Sequence, residues 1–191
     1  SDHPAVVKGH AGSPYEIKDY YDISPVLADK VENRIDEFKS LVERTHKSGL
    51  KLIIDFVPNH VARQYHSDAK PKGVEDFGET DDNTKAFLPD NNFYYIPGQK
   101  LELQFDIQQT GNIYLESPAK ATGNRPTIND WYETVKLNYG VDYLDGRTQH
   151  FSPIPNLWHK MRDILLYWSA MGVDAFRCDM AEMVPVEFWR W

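Results

Sequence analysis

The sequence predicts an α/β protein built on a parallel sheet, and three observations carry that prediction. A segment with helical period over about residues 31 to 47 runs, after Gly49, into the short apolar stretch KLIIDFV. The same succession recurs further on, where a helical segment stops at Gly172 and VDAFRCDM follows. Both apolar stretches become polar toward their C-terminal ends, which is where parallel α/β sheets present functional groups.

Residues 1 to 30 read as loop, punctuated by Pro4, Gly9, Gly12, Pro14 and Pro25. The first helix rests on Val31, Ile35, Phe38, Val42 and Thr45 at helical spacing, with Gly49 placed to end it. KLIIDFV is short and nearly continuous, which suits a strand buried on both faces. From 61 to 152 the chain turns irregular, with FGETDD, LPDNN, GNRPTIND and LDGRTQ as turn-rich stretches. LELQFDIQ is the strand candidate there, alternating Leu101, Leu103, Phe105 and Ile107 against polar residues. A structureless loop of that length does not suit a compact domain, so 61–152 reads as a small subdomain inserted between 1–60 and 153–191. The second helix carries Leu157, Met161, Ile164, Leu165 and Trp168 on one face, VDAFRCDM is the second buried strand, and VPVEFWRW begins another helix with Pro185 in its first turn.

Composition narrows the partners. The 191 residues carry a net charge of -8, which lacks the basic footprint of a nucleic-acid binder. Cys178 is the single cysteine, so neither an intrachain disulfide nor a cysteine-rich zinc site can form. No run approaches the roughly 20 apolar residues of a membrane-spanning helix. Aromatic residues make up 13% of the chain, and many stand in polar stretches such as DNNFYYIPG, INDWYE and LNYGVDY. They serve either as the core of an irregular region or as faces on which sugar rings stack.

The two strands raise the functional question. Side chains alternate faces along a strand, so Val173, Ala175, Arg177 and Asp179 share one face and Ile53, Asp55, Val57 and Asn59 share another, with His60 just beyond Pro58. A buried Arg177–Asp179 pair is costly to desolvate and stabilises weakly for that cost, which favours a functional reading over a structural one.

On these residues the chain resembles the α-amylase family of glycoside hydrolases and glucan transferases. SPYEIKDYYDISP is similar to that family's loop after the second barrel strand, DFVPNH to its third-strand motif and GVDAFRCDM to its fourth-strand motif. The resemblance implies a fragment of a (β/α)8 TIM barrel, about strands 3 and 4 with flanking helices, carrying the irregular inserted subdomain. It implies Asp179 as catalytic nucleophile, Arg177 as the arginine that holds that carboxylate ionised and oriented, and Tyr15 and His60 as contacts to the sugar at the scissile bond. It further implies that Asp55 orders the charge network and that Asn59 occupies a calcium-ligand position.

Departures from the family pattern matter as well. Glu182 and Met183 stand where amylases often have a Lys-His pair, which alters the sugar contacts past the cleavage point. PIPNLW stands where many members have a further calcium-binding aspartate, so Asn59 reads rather as a structural hydrogen-bonding group; calcium stays open only through oxygen atoms of Asp142 or Asp145, since hard cations need several ligands together. His3, His10, His46, His66, His150 and His159 have no metal-ligand spacing. The family's acid/base glutamate lies on the fifth strand, beyond Trp191. The expected parent is therefore a retaining α-glucan hydrolase, with a glucan transferase and a non-catalytic glycan-binding module as alternatives. The isolated chain is expected to be inactive and to self-associate through exposed barrel edges.

Overall fold

The computed structural model describes residues 13–103, 123–127 and 129–191. The elements run α1 (Arg34–Lys47), β1 (Ile53–Phe56), β2 (His60–Ala62), β3 (Thr134–Lys136), β4 (Val141–Asp142), β5 (Thr148–Gln149), α2 (Asn156–Ala170), β6 (Ala175–Cys178) and α3 (Val186–Arg190). β1 and β6 pair in parallel with Asp55 opposite Arg177, while β2–β3 and β4–β5 are short antiparallel pairs. The helix–strand succession expected from the two apolar stretches is therefore present. Of the LELQFDIQ strand candidate, Leu101 and Leu103 lie outside any strand, and the rest from Gln104 lies outside the described residues.

Both long helices end where glycine permits a left-handed backbone, at Gly49 (φ 73°) and Gly172 (φ 96°). Gly172 has a second reason to lack a side chain. A Cβ there would come within 2.8 Å of Val42 Cγ1 on α1. The two helices meet through Phe38 and Trp168, whose rings cross edge to face at 5.2 Å, and Trp168 Nε1 donates to the Tyr20 carbonyl at 2.7 Å. Leu157, Trp158, Met161 and Ile164 of α2 are fully buried in the core, with Phe56 and Phe176 at its sheet side.

Burial of the parallel strands on two faces does not hold. Only the face bearing Ile54, Phe56 and Phe176 is covered, whereas Ile53 is 59% exposed and Asp55, Ala175 and Arg177 are also exposed. The reason is architectural: among the described residues the parallel sheet has two strands, and none closes over the face that bears Ile53, Asp55, Ala175 and Arg177.

Asp174 fastens the base of this sheet. Its carboxylate accepts from the Leu52 N–H at 2.8 Å, from His46 Nε2 at 2.8 Å and from Lys51 Nζ at 2.9 Å, joining the end of α1 to both strands. The Leu52 N–H, then His46 and Lys51, hold its pKa well below the usual carboxylate range. A depressed carboxylate pKa contributes stability that is present above the unfolded-state value, about 4, and is lost as pH falls through the folded-state value. Asp174→Asn is accordingly expected to melt earlier than wild type at pH 7, with the gap persisting to about pH 4 and closing below it. Thermal unfolding followed by circular dichroism from about pH 2 to about pH 7 checks the result. A gap constant down to the acid limit would contradict it.

Candidate active site at the strand ends

β6 ends abruptly. Asp179 N–H still bonds to the Phe56 carbonyl at 2.8 Å, continuing the parallel ladder, and Met180 then turns the chain with φ 51°. The Asp179 side chain is thereby left at the C-terminal edge of the sheet. Arg177 Nη1 lies 3.0 Å from Asp179 Oδ1 and 3.5 Å from Asp55 Oδ2, so one nitrogen bridges the carboxylates of both strands. The Asp179 side chain is 17% exposed, but those of Arg177 and Asp55 are 54% and 49% exposed. The desolvation argument for a functional pair thus applies to Asp179 and not to its partners. Asp55, then Asp179 and Tyr15, raise the Arg177 pKa above its ordinary value, so the guanidinium is a permanent charge.

A cavity of about 490 Å³ opens beside Asp179, walled by Tyr15, His60, Trp131, Glu133 and Met180. Tyr15 is 39% exposed and its ring lies 5.9 Å from the Arg177 guanidinium carbon. His60 is buried, with its ring 5.1 Å from that of Trp131. Burial pushes the His60 pKa below its ordinary value, outweighing the Tyr15 carbonyl and the Asp179 charge, which act in the other direction. The ring is therefore uncharged at neutral pH.

Asp179, Tyr15 and His60 come together around this cavity. Asp55 instead touches Arg177, and Met183 lines a neighbouring cavity of about 720 Å³ with Tyr143, Arg147, Cys178 and Glu182. Sequence reasoning missed Trp131, Glu133 and Lys136. INDWYE stood out as an aromatic stretch in a polar setting, but nothing local in it points to His60.

Asn59 does not fit a calcium site. Its Oδ1 accepts from Lys136 Nζ at 2.5 Å, and a second cation would meet that ammonium. Asp142 is engaged in a turn, accepting from the Leu144 and Asp145 N–H groups, and Asp145 accepts from Thr148 Oγ1. Among the described residues no three His, Cys, Asp or Glu side chains gather into a metal-binding group. Burial, with Arg147 adding repulsion, lowers the Lys136 pKa to about 8, still on the protonated side at neutral pH.

The geometry therefore describes an α/β chain whose two parallel strands present an aromatic-walled cavity with a carboxylate and a histidine at their C-terminal ends. The chain belongs to the α-amylase family, matching the "Alpha amylase, catalytic domain" over residues 4–188. It is 27% identical over 169 residues to Maltase 1 of Drosophila virilis, covering 86% of this chain and 22% of that protein. Among solved structures, it is similar to a noncanonic maltogenic α-amylase of Thermotoga neapolitana at 25% identity and TM-score 0.50, covering 98% of this chain and 31% of the other. The acarbose-soaked debranching enzyme of Nostoc punctiforme shares the fold at 18% identity and TM-score 0.54, covering 97% and 31%. The chain thus spans less than a third of each of these relatives.

Proposed function

We propose that this chain is part of a retaining α-glucan hydrolase in which Asp179 attacks the anomeric carbon to form a covalent glycosyl-enzyme that water resolves. The observation that carries the reading is the Arg177 guanidinium 3.0 Å from Asp179, at the rim of a cavity walled by two aromatic rings and an uncharged histidine. An ionised carboxylate held by a permanent cation suits a nucleophile. Aromatic faces with polar neighbours suit a pyranose, whose C–H faces stack while its hydroxyls need hydrogen bonds. The likenesses to a maltase and to a maltogenic α-amylase support α-linked glucose as the substrate class.

Retention requires a second carboxyl group roughly 5 Å from the first. We assign that group to a part of the family's barrel outside this chain, so the 191-residue chain alone turns nothing over. The test is proton NMR of the sugar released from maltooligosaccharide by the intact protein, observed before mutarotation. An α-anomer as first product supports the double displacement, and a β-anomer refutes it. Turnover by the 191-residue chain alone would transfer the acid/base role to Glu133, the other carboxylate lining the cavity.

A further inference from the structure

We propose that Lys136 is a positioning residue for His60: its ammonium, acting through the Asn59 carboxamide, fixes the imidazole as the tautomer protonated on Nε2. The use of that tautomer rests on the sugar-site reading above, but the tautomer itself does not.

The β2–β3 ladder sets His60 opposite Lys136, and the Leu137 N–H bonds to the Asn59 carbonyl at 3.0 Å. That pairing brings Lys136 Nζ to 2.5 Å from Asn59 Oδ1, a contact between residues 77 positions apart. An ammonium only donates, so the amide atom facing it must be the carbonyl oxygen. The planar amide then turns Nδ2 the other way, to 3.2 Å from His60 Nδ1.

Nδ2 carries only hydrogens, so Nδ1 has to present a lone pair. An imidazolium, or the tautomer protonated on Nδ1, would set one donor against another. The proton therefore resides on Nε2, making it the ring's one donor. In the ligand-free protein that donor meets the Tyr15 carbonyl, and a sugar hydroxyl bound in the cavity that His60 lines would take it over. Without Lys136 the carboxamide is free to rotate. With its oxygen turned toward Nδ1 it would stabilise the tautomer protonated there, in competition with the Tyr15 carbonyl that favours the Nε2 proton.

The experiment uses histidine-selective 15N labelling of the intact, ligand-free protein, with the His60 signals assigned by their loss in His60→Gln. Wild type and Lys136→Arg are expected to show a protonated Nε2 and an unprotonated Nδ1. Lys136→Met is expected to shift toward the opposite tautomer. Asn59→Asp, which offers Nδ1 a carboxylate oxygen, is expected to invert it. In turnover of maltooligosaccharide, Lys136→Met should lose about tenfold in kcat/KM, the order of one positioned hydrogen bond, and Lys136→Arg should recover it.

A wild-type ring protonated on Nδ1, or a Lys136→Met or Asn59→Asp ring that keeps the Nε2 proton and leaves Nδ1 unprotonated, overturns the proposal. If Lys136→Met does not fold, wild type and Asn59→Asp still decide. A protein that turns over no α-glucan yet shows the expected tautomers would sink the functional reading and leave this one standing.

Discussion

Replacing Asp179 by asparagine in the intact protein is expected to lower kcat by about four orders of magnitude or more, the scale on which loss of one member of a catalytic constellation is felt. Asparagine has the same shape, and its carbonyl oxygen can still accept from Arg177 Nη1, 3.0 Å away in the wild type. What it lacks is the anionic oxygen that the proposed mechanism requires to form the glycosyl bond. The Met180 turn and the backbone bond from Asp179 to the Phe56 carbonyl do not involve the side chain, so the fold should be retained. Maltooligosaccharide binding, followed by tryptophan fluorescence from Trp131 at the cavity wall, is expected to persist. Kinetics and binding together separate an enzyme from a non-catalytic glycan-binding module, in which the substitution has no turnover to remove. A variant with undiminished turnover would rule out Asp179 as nucleophile.

The second large effect is expected at Arg177. Lysine preserves the charge but not the length and fixed guanidinium plane that place Nη1 between Asp55 and Asp179. The shorter reach of a point ammonium satisfies one carboxylate and leaves the other unrestrained. Arg177→Lys should therefore lower kcat about a hundredfold with little change in KM, since the contact orients the nucleophile rather than holding the sugar. Steady-state kinetics on maltooligosaccharides checks this. A rise in KM at constant kcat would instead make Arg177 a substrate contact.

Much of the scaffold was legible because local chemistry dictated it. Helical spacing of apolar residues located α1 and α2, and Gly49 and Gly172 marked their ends because other residues resist the left-handed backbone found there. The strand ends were legible too, through the alternation that puts Asp55 beside Asn59's face and Arg177 beside Asp179's. The irregular region was not, because it is held by polar side chains rather than by a repeating apolar face. Fully buried Asn138, for example, donates to the Leu88 and Asn91 carbonyls and accepts from the Gly140 N–H. Hydrophobic periodicity has nothing to report about such a residue. Trp131 and Lys136 escaped for a related reason: each matters through a partner brought close only by the folded chain, His60 for one and Asn59 for the other.

The parallel pairing that sets Asp55 opposite Arg177 has a consequence for how competence is acquired during folding. A slip of one residue between β1 and β6 would send Arg177 and Asp179 together to the opposite face, toward the helices, separating Arg177 from Asp55 and turning Asp179 away from the cavity. Misaligned chains are then catalytically silent rather than weakly active. On the proposed function, regain of turnover during refolding of the intact protein would report the fraction of molecules whose strands have found their register, making chemistry a proofreading signal for assembly.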